Sequence, residues 1–121
     1  MSLFERLIVD FEYTDERGKL VQLVHEGFSQ VNILETKKGV TRGGHYHKLC
    51  CEAFFVLQGK VDVTLQKMGI IERVTFCEND FFRIEPNVIH SMYFPQNCLM
   101  LQMYDIPVEN NDGIKDIYPE H

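Results

Sequence analysis

Two histidines one residue apart, a glutamate five positions later and a distant third histidine are the residues in this chain best equipped for chemistry. His45 and His47 lie in GVTRGGHYHKLCCEAFFVLQG (39–59). In an extended segment side chains alternate between faces, so both imidazoles project to one side and form a bidentate clamp for a metal. Glu52 opens the apolar segment EAFFVL, where a turn through KLCC can return its carboxylate to the same interior. The fourth candidate is His90 in IEPNVIHSMYF (84–94), preceded by Asn87 at a turn position that suits a left-handed backbone. Three imidazoles and one carboxylate suit a divalent transition metal, Zn, Mn, Fe, Ni or Co, and the ligand types do not choose among these. Any one of these histidines alone reads as an ordinary core or surface residue; the set carries the metal reading. His25 and His121 have no such company and are expected to be solvated.

The elements that must position these groups are short and of β type. LVQLV (20–24), VNILET (31–36), EAFFVL (52–57), KVDVTL (60–65), IIERVTF (70–76), FFRI (81–84) and CLMLQMY (98–104) are the predicted strands. KVDVTL alternates with period two, as a half-buried strand does, and EAFFVL is apolar on both faces, so it predicts a strand covered on both sides. ERGK (16–19), KKGV (37–40), LQGK (57–60), KMGI (67–70) and EPNV (85–88) supply turn residues where hairpins would reverse. Strands at about 8–12-residue spacing without helix-length periodicity predict an all-β antiparallel sandwich or barrel. Residues 107–121 are polar and turn-rich, and read either as a surface tail or as a cover over the barrel mouth or a contact with a second subunit. Met1, Ser2 and Leu3 carry no pattern and are given no weight.

At 121 residues the chain fits one domain. A net charge of −6 with no basic cluster argues against nucleic-acid binding. No apolar run approaches the ~18 residues of a membrane span, and MSLFERLIVD lacks the pattern of a secretory leader, so the expectation is a cytoplasmic protein without membrane contact. The four cysteines show no CxxC spacing; Cys50 and Cys51 read as small packing residues on either side of an extended segment.

Gly39, five residues, His45, one residue, His47, four residues, Glu52, six residues and Gly59 match the first motif of the cupin superfamily at every position. ENDFFRIEPNVIH resembles the second motif, with Asn79 and Asn87 in place of glycines, Glu85 in place of a proline, and His90 retained. The resemblance implies a double-stranded β-helix, the cupin jelly roll, with His45, His47, Glu52 and His90 holding a metal inside the barrel. A narrower likeness is carried by DERGKLVQL (15–23), TRGGHYHK (41–48) and IKDIYPEH (114–121). These resemble the small cupins of nucleotide-sugar pathways: 3,4-ketoisomerases acting on dTDP-4-keto-6-deoxyhexoses, and the cupin domain of capsular polysaccharide epimerase/reductases. Both imply homodimers that exchange or share edge strands.

The chemistry implied is removal of a proton beside a ketone, formation of an enediolate, and return of a proton to another carbon or face. Without metal, His45 and His47 are the implied proton carriers, assisted by Tyr46 or Tyr93, because an imidazole with a pKa of about 6.5 both accepts and donates near neutrality. Arg42 and Lys48 are the candidate substrate-binding residues, Arg42 for a sugar or diphosphate oxygen. The ketoisomerases usually have glutamine where this chain has Glu52 and are read as metal-free, whereas the capsular epimerase cupin keeps the glutamate and binds metal. Glu52 therefore moves the expectation towards a metal-dependent isomerase or epimerase. A non-catalytic sugar-binding or sensing cupin is the alternative, and a metal-dependent dioxygenase a lesser one.

Overall fold

The computed structural model describes residues 2–120 and is built from β-strands without helices. In chain order these are β1 (Phe4–Arg6), β2 (Phe11–Asp15), β3 (Gly18–Gln22), β4 (Gln30–Thr36), β5 (Thr41–Tyr46), β6 (Glu52–Gln58), β7 (Lys60–Lys67), β8 (Ile70–Cys77), β9 (Phe81–Ile84), β10 (Ile89–Tyr93), β11 (Cys98–Tyr104) and β12 (Tyr118–Pro119). Two five-stranded antiparallel sheets face each other, one ordered β1-β9-β6-β11-β4 and the other β12-β5-β10-β7-β8. Together they form the expected cupin jelly roll, with β2 and β3 standing apart as a two-stranded hairpin.

Period-two alternation sorts the side chains. In β7, Val61, Val63 and Leu65 point inward, and they meet Phe54 and Val56 of β6, Phe82 and Ile84 of β9 and Phe76 of β8 in the main core. Phe76 and Phe82 stack with ring centroids 3.7 Å apart. The opposite face of β6 is also covered: Ala53 and Phe55 pack with Phe81 and Met103 beneath Leu7, Val9, Leu23, Val24 and Phe28. This is why EAFFVL carries no polar face. Leu3, which has no visible role in the sequence pattern, is buried in the main core.

Of the five predicted reversals, only residues 16–19 and 67–70 close hairpins, joining β2 to β3 and β7 to β8. The turns at 37–40, 57–60 and 85–88 instead carry the chain from one sheet to the other. Turn residues provide the same backbone freedom at a corner between sheets as in a hairpin, so composition does not separate the two. Asn79 and Asn87 take the left-handed backbone, with φ of 72° and 68°, where the cupin motif has glycine. No helix among the described residues is long and apolar enough to cross a membrane.

Candidate metal centre

His45, Glu52 and His90 are delivered by three strands, and His47 by the residue after β5. On β5 the placement depends on a β-bulge. Thr41, Arg42 and Gly43 pair with Tyr93, Met92 and Ser91 of β10, but the next paired residues are His45 and His90, leaving Gly44 extra. Without the extra residue, Arg42 and His45, three positions apart, would face opposite sides of the sheet. With it, both line the same cavity. Gly43 lies so close to β10 that a Cβ there would sit 2.7 Å from the His90 carbonyl oxygen, and its φ of 98° further excludes other residues.

The four candidate ligand atoms lie within 4.8 Å of one another. His47 Nε2 is 3.0 Å from Glu52 Oε1, and His90 Nε2 is 3.1 Å from the same oxygen. The far nitrogens are fixed by backbone: His47 Nδ1 donates to the Asp116 carbonyl at 2.6 Å and His90 Nδ1 to the Val88 carbonyl at 3.1 Å. Glu52 Oε2 accepts from Gln102 Nε2 at 2.8 Å, and Gln102 Oε1 accepts from Asn32 Nδ2 at 2.9 Å. His47, Glu52 and His90 are all buried, whereas His45 is half-buried.

Burial works against charge on Glu52, but hydrogen bonds from His47 and His90 outweigh it and hold the carboxyl below its ordinary range. Burial likewise opposes protonation of His47, yet the Glu52 carboxylate prevails and raises its pKa. His45 has no such partner. Burial, then the nearby His90 and His47, pull it down to about 4, so it is neutral at pH 7.

These residues fit a metal. His47 and His90 each face acceptors at both ring nitrogens, a backbone carbonyl on one side and a carboxylate oxygen on the other. Such an imidazole either carries two protons or shares a cation with the carboxylate on its Nε2 side. Carbonyl contacts at Nδ1 set the tautomer that leaves Nε2 for a ligand role, and Gln102 orients the carboxylate in the way outer hydrogen bonds orient metal ligands.

The cluster opens into a cavity of about 360 Å³, lined also by Asn32, Arg42, Gln102, Tyr104, Lys115 and Ile117 among others. Arg42 is held at one wall, its Nε donating to Thr36 Oγ1 at 2.9 Å. Tyr104 lies edge-on to His47, and burial followed by the charge of Glu52 raises its pKa, so the phenol keeps its proton.

The profile of the polysaccharide biosynthesis C-terminal domain family matches residues 13–94, more than half of the chain and including His45, His47, Glu52 and His90. The chain belongs to this family. No curated protein matches it at a significant level. Among solved structures it is similar to the QdtA 3,4-ketoisomerase of Thermoanaerobacterium thermosaccharolyticum, a double mutant in complex with TDP, at TM-score 0.74 and 21% identity over 98% of this chain and 86% of that one. A 3,4-ketoisomerase from Helicobacter canadensis aligns at TM-score 0.78 and 19% identity, covering 98% and 90%. The capsular polysaccharide assembling protein CapF of Staphylococcus aureus aligns at TM-score 0.68 and 18% identity, covering 90% of this chain and 32% of that one. These likenesses establish that this member of the family has the cupin fold.

The sequence-predicted metal set is brought together complete, and Arg42 joins it in the cavity. Three other candidates are placed elsewhere. Tyr46 alternates with His45 and His47, faces away from the cluster and stacks on Tyr118 at 5.6 Å. Tyr93 follows Met92 on β10 and is exposed on the outer face. Lys48 lies beyond the strand with its Nζ over the Tyr118 ring at 4.2 Å, away from the cavity lining. The aromatic hydroxyl in the cavity is Tyr104, which β11 sets opposite Glu52 on β6. The polar Gln102 on the buried face of CLMLQMY was the available signal for this strand.

The end of the chain is not a surface tail. Val108, Lys115 and Ile117 line the cavity, and β12 pairs with β5, so the segment covers the barrel mouth. Cys50 and Cys51 are both buried, their thiols turned towards the Pro107 and Ile84 carbonyls, as the packing reading expects. His25 is exposed and pairs with Asp10, and His121 lies outside the described residues.

Proposed function

We propose that this protein is an isomerase or epimerase acting on a nucleotide-linked 4-keto-6-deoxy sugar, with a divalent transition metal held by His45, His47, Glu52 and His90. The observation that carries this reading is the convergence of all four donors in one cluster, with His45, Glu52 and His90 at the wall of a cavity that also holds two cationic side chains, Arg42 and Lys115. Membership of the polysaccharide biosynthesis family and the TDP bound by the similar QdtA 3,4-ketoisomerase support the sugar-nucleotide class. When bound, the ion would polarise the sugar ketone and stabilise the enediolate.

The chain's own residues bind and orient the substrate for a redox-neutral reaction: a proton passes from the carbon beside the ketone to a general base, its electron pair forms the enediolate, and the protonated base returns a proton to the neighbouring carbon or to the other face. Tyr104, kept protonated, serves as a hydrogen-bond donor to the oxygen on which negative charge develops. Arg42 and Lys115 suit the diphosphate.

A second reading rests on His45. Among the described residues no hydrogen bond fixes its ring, and it is neutral and half-buried, so its ring can accept a proton, while a pKa of about 4 makes it a weaker base than an ordinary imidazole. On that reading His47, Glu52 and His90 form a hydrogen-bonded triad and His45 takes the proton. Metal analysis separates the two. Protein purified without a histidine tag is expected to carry close to one first-row transition metal per chain, and His45→Gln and His47→Ala are both expected to lose it. Full occupancy in His45→Gln would favour His45 as base, and a metal-free wild type would sink the metal reading.

We also infer a homodimer. The β2–β3 hairpin stands outside both sheets and exposes Phe11, Tyr13 and Leu20, while edge strand β4 exposes Val31 and Ile33. Such apolar surface beside an open edge suits a second copy of the chain. Sedimentation velocity is expected to give a dimer that Leu20→Glu converts to monomer; a wild-type monomer at micromolar concentration would refute this.

A further inference from the structure

In the motif IKDIYPEH, Lys115 and Ile117 line the cavity, and between them lies the one buried acidic residue among the described residues of the C-terminal segment, Asp116, whose side chain has no role in the site as described so far. Its carboxylate accepts three backbone N–H groups from the loop that follows the histidines. Oδ1 takes Lys48 at 2.9 Å, and Oδ2 takes Leu49 and Cys50, each at 2.8 Å. Its backbone carbonyl accepts the His47 Nδ1 proton at 2.6 Å, and its own N–H donates to the Val108 carbonyl at 2.8 Å. On either side, Lys115 and Ile117 line the cavity while Asp116 faces the loop. Two residues further on, Tyr118 and Pro119 pair with Tyr46 and His45.

We infer that Asp116 is a positioning residue: it pins the C-terminal segment across the barrel mouth and, through its carbonyl, sets the tautomer and direction of the His47 ring. The geometry gives one residue two tasks. The side chain binds the loop 48–50, so the backbone is brought to the spot where its carbonyl meets His47. The same docking presents Lys115 and Ile117 as part of the cavity wall. Without the carboxylate, three N–H groups lose their acceptor, the strap loosens, and the His47 ring is free to rotate or to exchange its Nδ1 proton. An asparagine cannot replace it fully, because a carboxamide has one acceptor oxygen and would turn its NH₂ group towards at least one of the three donors.

This inference rests in part on the proposed metal centre, so the experiment has arms with and without metal. In metal-free protein labelled with ¹⁵N, the His47 Nδ1 proton should give a slowly exchanging downfield imidazole resonance, assigned by its absence in His47→Gln. Asp116→Ala should lose it. The Cys50 thiol, which sits under the strap towards the Pro107 carbonyl at 3.9 Å, should be alkylated roughly tenfold faster in Asp116→Ala. In a titration with Co²⁺, Asp116→Ala should bind about 10–100-fold more weakly, with a changed d–d absorption spectrum. Asp116→Asn should fall between wild type and alanine, and it decides the matter if the alanine variant does not fold. A persistent His47 resonance with unchanged thiol protection in these variants would overturn the inference. If wild type takes up no Co²⁺, the metal reading fails, and the resonance and thiol arms still decide the role of Asp116.

Discussion

Along one face of β6 lie Glu52, Phe54 and Val56; the first sits among three imidazoles and the other two among phenylalanines and valines. β10 divides in the same way, with His90 in the polar group and Met92 in the packed one. One end of the barrel interior is thus filled by stacked rings, Phe54 on Phe82 and Phe82 on Phe76, which gain stability from contact and lost hydration. The other end gives up that filling for a cavity and a set of buried charges whose partners must all be present, because removing one leaves the rest uncompensated. Close packing at one end holds the strands in register, and the register brings the four donors together at the other. Stability and chemistry therefore separate along the barrel axis, although both are carried by the same strands.

That separation is open to attack from either end. The largest effect is expected from Glu52→Gln, which removes the negative charge shared by His47 and His90. Metal occupancy should drop to background and turnover by about 10²–10³-fold, the scale of losing one principal electrostatic group, as read by elemental analysis and a coupled sugar-isomer assay. Phe82→Ala at the packed end should cost about 3–5 kcal/mol in urea unfolding while the protein that remains folded still takes up metal at the wild-type stoichiometry. Loss of metal in that variant would show that the two ends are coupled more tightly than the packing implies. The mildest test uses the thiols. Burial first, with nearby carboxylates, pushes Cys50 and Cys51 up to about 12, so each is almost wholly protonated at pH 8 and its alkylation rate should climb with pH towards that value. Cys77 is exposed. One thiol per chain should react quickly at pH 8 and vanish in Cys77→Ser, and rapid reaction of two or more would mean that the loop beside Glu52 opens readily.

Much of this was legible in the sequence where the relevant signal is local. Alternation in KVDVTL and the two-sided apolarity of EAFFVL anticipate the burial found for β7 and β6. The spacing of His45, His47 and Glu52 with the remote His90 anticipates the cluster. What escaped depends on register and on contacts between distant segments. Tyr46 and Tyr93 were candidates because they neighbour the histidines in sequence, but that adjacency in a strand places them on the outer face. Tyr104 enters the site because β11 pairs with β6 so that it faces Glu52, a relation that periodicity does not encode. Gly43 and Gly44 stand in plain view in TRGGHYHK, yet the bulge they form, which turns Arg42 to the same side as His45, follows only from the β5–β10 pairing. Asp116 was one acid in a polar segment, and only its approach to the loop 48–50 distinguishes it.

Isomerisation of a keto sugar at a metal held by His45, His47, Glu52 and His90 is the proposal on which the polar end of the barrel turns. Its most direct test is solvent deuterium uptake, followed by NMR, during incubation of metal-loaded and chelator-treated protein with dTDP- and UDP-linked 4-keto-6-deoxyhexoses in D₂O. Deuterium at C3 or C5 with the loaded protein, abolished by chelation and restored by adding the metal back, is the predicted result. Equal exchange with and without metal would contradict the metal's role, and no exchange with any sugar would contradict catalysis and leave a binding protein.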